Sequence, residues 1–333
     1  MLTSLACPYS YGSVAIDTPH TGHTGHTGPN GRIDSFRIAQ LSDPHLTSLE
    51  GVDWRGLCNK RVLGYLSWRR RRRFVHSPEV LADVVADIKA REFDHIAVTG
   101  DLTHVGLPVE CRAVATWLSS VGSADQVTVI PGNHDRYVRA DWSETVGCWA
   151  EYLAGDDWQA GIAGDEMFPS LRIRDGVAII GLDSAVPSAP LFATGRTGNA
   201  QRERVAALLE KAQRLGLFRL VLIHHSPLPQ GHRWRKRLTD AAALLGVLEH
   251  QGAELVVHGH GHERRIDVVA TPRGDMVVVA APSASLVGAG RGGYNGYQIN
   301  TTDTGWHVEV SEYAHREGEV VVRDCREFEL SRS

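Results

Sequence analysis

The sequence predicts an α/β fold on three observations. Short apolar runs alternate with amphipathic segments of helical period from residue 36 to about residue 257. Five of those runs stop at a cluster of Asp, Asn or His residues: Asp43-Pro44-His45, Gly100-Asp101, Asn133-His134-Asp135, His224-His225 and His258-Gly259-His260-Gly261-His262. From residue 264 onward the runs become short and β-like, divided by Gly and Asp-Thr-Gly turns, so antiparallel strands are expected to close the molecule.

The elements follow in order. Residues 36–41 read as a first strand that ends at Ser42-Asp43. Ser77-Pro78-Glu79 caps a helix in which Leu81, Val84, Val85 and Ile88 keep the spacing of a buried stripe. A strand at 95–99, a helix at 108–120 and a strand at 126–130 repeat the pattern, and a less regular stretch follows. The second half continues with strands at 177–182, 218–223 and 254–257, separated by helices at 199–215 and 238–251. Beyond it, 276–280 and 307–310 read as strands of the closing portion. No internal repeat is present.

A chain of 333 residues that is 42% hydrophobic and 22% charged can bury one large core. Its net charge of -4 excludes a protein that coats nucleic acid through overall charge. The five cysteines are scattered without a C-x-x-C pair, which predicts a reduced chain. No apolar run approaches the length of a membrane span, and residues 1–7 lack the basic and apolar regions of an export signal, so the expected compartment is the cytoplasm. Residues 1–33, rich in Gly, Thr, Pro and His with His-Thr-Gly repeated three times, are expected to form a disordered tail.

Carboxylate, amide and imidazole at successive strand ends are unusual in a core and usual around metals. Asp43 and His45, two positions apart, would present their side chains on one face of an extended segment and grip one ion. Asp101 has two oxygens and can bridge two cations, and Asn133 offers a neutral carbonyl oxygen. His260 and His262 repeat the two-residue spacing, with Gly259 and Gly261 expected to provide the tight turns. Oxygen and imidazole donors together suit Mn, Fe or Zn, and there are more donors than one ion can use.

The order D-x-H, G-D, G-N-H-D, H-H and G-H-x-H, each after a strand, resembles the signature of the calcineurin-like metallophosphoesterases over about residues 38–285. Segments 179–184 and 281–285 resemble its cyclic nucleotide phosphodiesterase branch. The resemblance implies a four-layer α/β/β/α sandwich of two mixed sheets flanked by helices, formed by residues 34–333 as one catalytic domain. It implies two divalent metal ions, with Asp43, His45 and His262 on one, Asn133, His224 and His260 on the other, and Asp101 between them. The usual H-H-P-P reads His224-His225-Ser226-Pro227 here. His225 is therefore the alternative to His224, which is preferred because it directly follows an apolar run. His134 would stay off the metals and protonate the leaving oxygen or stabilise phosphoryl charge, and Asp135 would orient its imidazole. The implied reaction is attack of a metal-bridging hydroxide on phosphorus.

Two basic segments bear on the substrate. An insert at about residues 52–76 includes Arg55, Lys60, Arg61, Arg69, Arg70, Arg71, Arg72 and Arg73, interleaved with Trp54, Leu57, Leu63, Tyr65, Leu66 and Trp68. It fits a solvated helix with an apolar inner face, a contact with an anionic membrane surface or a cleft for a large phosphorylated substrate such as a lipid, or a contact with nucleic acid. The run at 232–237 places Arg233 and Arg235 as candidates for a distal phosphate. A small phosphodiester is the first expected substrate. A lipid-linked one such as UDP-diacylglucosamine, cleaved at a membrane surface, is the second, and an inactive phosphate-binding module is the third.

Overall fold

The computed structural model describes residues 35–159, 162–229 and 234–332. The tail expected over residues 1–33 lies outside the described residues. Apolar runs become strands because they are enclosed on both sides. In β1 (Phe36–Leu41), five of the six residues are buried, and the strand lies between parallel β2 (His95–Val98) and antiparallel β10 (Gly293–Thr301). With β3 (Val127–Val129), β11 (Gly305–Arg316) and β12 (Glu319–Ser331) they form one sheet in the order β12-β11-β10-β1-β2-β3.

The second sheet contains β4 (Ser170–Arg174), β5 (Val177–Gly181), β6 (Phe218–Ile223), β7 (Leu255–His258), β8 (Arg265–Thr271) and β9 (Gly274–Ala280) in the order β4-β5-β6-β7-β9-β8. Its four central strands are parallel and its edge strands antiparallel. Alternation along single strands builds two cores. Phe218, Leu220 and Leu222 of β6 face the core shared with the first sheet, whereas Val221 and Ile223 join the core formed with α5 (Asn199–Arg214) and α6 (Ala241–Gln251). α2 (Pro78–Ala90) and α3 (Pro108–Val121) cover the first sheet through Leu81, Val84 and Ile88 and through Val114, Leu118 and Val121. The result is two mixed sheets flanked by helices.

Several elements depart from the sequence reading. The helix expected from residue 238 begins at Ala241, because Asp240 instead accepts hydrogen bonds from Thr197 and Gly198. The sequence reading does not mark strands β4, β8, β10 and β12, which carry mixed or polar sequences; β4, β8 and β12 are edge strands held by the adjacent strand of a hairpin, and β10 pairs with both β11 and the distant β1. The basic insert is ordered: a 3-10 turn at Trp54–Leu57, then α1 (Arg61–Arg70), then a second 3-10 turn at Arg72–Phe74. Leu57 and Trp68 pack with Leu49, Val105 and Leu107, so its inner face belongs to a small core of its own. The described part of the connection after β3 carries 3-10 turns at Val146–Trp149 and Gly164–Met167 and the short helix α4 (Ala150–Leu153). No described helix is long and apolar enough to cross a membrane.

Candidate metal centre

Asp43 and His45 follow β1, Asp101 follows β2, Asn133 and His134 follow β3, His224 follows β6, and His260 and His262 follow β7. Parallel pairing within each sheet delivers these loops to one edge. The side-chain directions are set by local backbone, not by extended geometry. Asp43 (φ 48°), His45 (φ 40°), Asp101 (φ 57°), His260 (φ 67°) and His262 (φ 55°) all sit in the left-handed region, which non-glycine residues rarely enter. The loops are stitched together by Asp43 N donating to the Gly100 carbonyl (3.0 Å) and His45 N to that of Asp101 (3.1 Å).

The glycines were expected to supply the turns, and the structure corrects this. Neither Gly259 nor Gly261 has positive φ; the turns fall on the histidines. Gly259 is needed for space, since a Cβ there would collide with Ser42 Oγ and Asp43 Oδ2, as one at Gly132 would with Asp101.

Ligand-type atoms of Asp43, His45 and His262 lie within 4.8 Å of one another, as do those of Asp101, His224 and His260 and those of His45, Asp101 and His134. Asp101 Oδ2 faces His45 Nε2 at 4.0 Å and His224 Nε2 at 3.4 Å, while its Oδ1 accepts from His134 N at 2.7 Å. Asn133 Oδ1 is 3.3 Å from His224 Nε2. Backbone carbonyls hold the rings: Thr103 O lies 3.0 Å from His45 Nδ1, Thr99 O lies 2.7 Å from His224 Nδ1, and Lys236 O lies 3.0 Å from His260 Nε2. A carbonyl on one ring nitrogen fixes the tautomer and turns the other toward a cation.

These residues fit a divalent metal pair. Asp43 Oδ1 is buried outside any hydrogen bond of good geometry and faces His262 Nε2 at 3.0 Å. Burial pushes the Asp43 and Asp101 carboxyls up, but the neighbouring imidazoles outweigh it and hold both below the usual range. Burial pushes His224 down, yet Asp101 beside it raises it to about 9. Burial keeps His45 neutral. Charged carboxylates opposite imidazoles are what a cation would replace protons in.

The structure separates the remaining candidates. His225 is turned away, with Nδ1 2.8 Å from Ser184 Oγ and Nε2 3.3 Å from the Ala193 carbonyl, so His224 is the one beside Asp101. Asp135 does not orient His134. Its oxygens accept from the backbone of Asp101 (2.9 Å), Gly132 (2.8 Å) and Thr103 (2.9 Å), so it holds the loops in place. Burial and the nearby Asp101 raise its carboxyl to about 7. The His134 ring is held by the His104 carbonyl, 2.5 Å from Nδ1. Arg233 lies outside the described residues, and exposed Arg235 stacks over Phe192, 5.8 Å from its centroid, instead of reaching the site. Among the described residues of that run, the Lys236 carbonyl lies against a candidate ligand, His260.

Sequence reasoning missed three neighbours. Arg72 Nη1 lies 3.0 Å from both ring nitrogens of His134. Burial, then this guanidinium, bring His134 down to about 3. His76 and His104 join the His45 side, and a cavity of about 470 Å³ opens there between the insert and the centre, lined by Trp68, Phe74, His76 and His104 among others. The signal for Arg72 was present: Arg61, Gly64, Trp68 and Arg72 recur at three- and four-residue spacing, which marks one helical face.

The calcineurin-like phosphoesterase sequence model matches residues 36–264. A protein named as a probable cyclic nucleotide phosphodiesterase, from Vesicomyosocius okutanii subsp. Calyptogena okutanii, is 23% identical over 256 residues, which is 76% of this chain and 88% of that one. Among solved structures, a dimetal phosphatase from Danio rerio aligns with a TM-score of 0.53 at 12% identity, over 86% of this chain and 98% of its own. A purple acid phosphatase from yellow lupin (Lupinus luteus) seeds aligns at 0.52 and 12% identity, over 89% of this chain and 54% of its own. Both show likeness of fold.

Proposed function

We propose that this chain, which belongs to the calcineurin-like phosphoesterase family, is a phosphodiesterase that works with two divalent metal ions. Family membership makes it a hydrolase of phosphoesters. The observation that carries the two-ion reading is Asp101 Oδ2, which faces His45 on one side and His224 on the other and so joins two ligand groups through one oxygen. In this reading Asp43, His45 and His262 hold one ion, Asn133, His224 and His260 the other, and Asp101 both. Divalent ions held there would bring the pKa of water toward neutrality and neutralise phosphoryl oxygens.

The chain's own groups position the rest. His134 Nδ1 is committed to the His104 carbonyl, which makes Nε2 the nitrogen able to serve a leaving oxygen. Burial, and then Arg72, keep that ring neutral in the resting protein, and an arriving phosphoryl anion would offset the charge of Arg72 and let Nε2 take and pass on a proton. Two features support a diester: the relative named as a probable cyclic nucleotide phosphodiesterase, and the cavity of about 470 Å³ beside His45, which has room for an ester substituent of nucleotide size.

The test uses metal-depleted protein reloaded with Mn²⁺. Bis(p-nitrophenyl) phosphate should be hydrolysed faster than p-nitrophenyl phosphate, and chelation should stop both. His134→Ala should lower kcat by roughly 10²–10⁴ with metal content unchanged. Equal turnover in that variant would remove His134 from the mechanism, and a preference for the monoester would remove the diester reading.

A lipid-linked substrate is the second reading. Trp54 (68% exposed) and Phe74 (62% exposed) project from the insert near exposed Arg69, Arg70, Arg71 and Arg73, which is the composition of a contact with an anionic bilayer surface. Sedimentation with anionic liposomes should then fall when Arg69, Arg70 and Arg71 are neutralised, and equal partitioning would eliminate it.

A further inference from the structure

The five consecutive arginines of the insert are not equivalent. Arg69, Arg70, Arg71 and Arg73 are exposed, Arg73 at the cavity beside Trp68 and Phe74, whereas Arg72 is drawn inward toward His134, at the start of the 3-10 turn where the chain changes direction after α1. Its Nη1 stands 3.0 Å from His134 Nδ1 and 3.0 Å from Nε2, so the guanidinium lies against the imidazole that borders Asp101 and His45. Asp101 attracts it from beyond ion-pairing distance, and no ion pair to it is formed among the described residues. A guanidinium remains charged under all ordinary conditions, and a partly buried one without a counter-ion is costly unless an anion arrives.

The approach is built rather than incidental. Arg61 anchors the start of α1 by donating from Nε to the Val105 carbonyl (3.0 Å) and from Nη2 to that of Gly106 (2.5 Å). Gly64 lets the helix press onto Val105 and Tyr137, where any Cβ would collide with the Val105 side chain. Trp68, in the last turn of α1, is buried with Leu49 and Val105. At the far end Ser77 N donates to the Ser285 carbonyl (2.9 Å), and His76 Nδ1 lies 2.8 Å from Ser285 Oγ. Arg72 is therefore held between two fixed points.

From this arrangement we infer that Arg72 is a phosphoryl-binding residue, delivered to the metal centre by the insert so that its guanidinium engages the non-bridging oxygens of the substrate beside His134. The inference rests on the phosphoesterase reading above. Phosphate oxygens match the guanidinium fork, which is why Arg recognises them by paired hydrogen bonds where Lys acts as a point charge. It also gives the insert an inward role, separate from any membrane contact of its outer face.

The experiment compares the Mn²⁺-loaded parent with Arg72→Ala, Arg72→Lys and, as a control on the outside of α3, Arg112→Gln. Metal content is measured by elemental analysis, inorganic phosphate binding by calorimetry, and hydrolysis with bis(p-nitrophenyl) phosphate. Arg72→Ala should keep its metal and weaken phosphate binding by at least about tenfold, with kcat/KM reduced about 10²-fold. Arg72→Lys should recover part of both, and Arg112→Gln should match the parent. Phosphate affinity in Arg72→Ala within twofold of the parent, at equal metal content, would overturn the inference, as would a metal-loaded parent that binds no phosphate. A parent that binds phosphate through Arg72 yet hydrolyses nothing would sustain the inference and defeat the phosphodiesterase reading.

Discussion

Left-handed backbone at Asp43, His45, Asp101, His260 and His262 concentrates strain on the side chains that would hold cations. Each such residue costs on the order of 1–2 kcal/mol, and the cost is sustained because the strand ends on either side are buried and fixed. Asp101 is the most exacting of them, with Oδ1 spent on His134 N and Oδ2 turned to both His45 and His224. Asp101→Asn keeps the shape but removes the charge between the two groups. Its metal content, by elemental analysis after Mn²⁺ reloading, should fall from two ions per chain to one or fewer; two retained ions would show that Asp101 does not join the sites. The identity of these side chains was legible in the sequence, because polar clusters after apolar runs need no tertiary information. Their backbone was not. The two-residue spacing of Asp43 and His45 was read as extended geometry, whereas the left-handed turns depend on contacts with Gly100 and Asp101, far along the chain. Asp135 illustrates the same limit, since two of the residues whose backbone it holds, Asp101 and Thr103, are reached only through the fold.

The elements read most readily were strands enclosed on both sides, where burial demands unbroken apolar runs such as residues 218–223. Edge strands such as β8, with a half-exposed mixed sequence, take their conformation from a partner and carry little pattern of their own. Enclosure also has consequences for pH. His95 of β2 is 1% exposed, with Nε2 2.8 Å from Thr128 Oγ1 on β3 and Nδ1 without a partner. Burial, and then the charges of Arg172 and Arg174, lower it to about 3. An unfolded histidine takes a proton near pH 6.5, so this group costs no stability above that value. Below it, the unfolded chain is protonated while the fold excludes the proton, and stability falls until about pH 3 at up to about 1.4 kcal/mol per unit. Between pH 7.5 and 5.5 the parent should therefore lose about 1.4 kcal/mol more stability in urea unfolding than His95→Gln does. Equal losses would mean that His95 finds solvent or a partner when charged.

At the scale of the molecule, the candidate ligands are divided between the sheets: Asp43, His45, Asp101 and Asn133 on one, His224, His260 and His262 on the other. Beneath them a polar link crosses the same gap, with Gln40 Nε2 of the first sheet donating to the His258 carbonyl of the second (3.1 Å) and Tyr297 Oη donating to Gln40 Oε1 (2.5 Å). The apolar core between the sheets is continuous without any ion, so the fold itself should not require metal. Ions bound across the gap would bind the folded state alone, and each would stabilise it by about 2.7 kcal/mol at a hundredfold excess over its Kd. Chelation should therefore leave the far-UV circular dichroism unchanged while Tm falls on the order of 5–10 °C, with Tm rising again as Mn²⁺ is restored. Loss of secondary structure on chelation would show that metal, not the core, holds the sheets together. A Tm indifferent to both chelator and Mn²⁺ would show that no ion joins them, and the ligand assignment across the two sheets would fail with it.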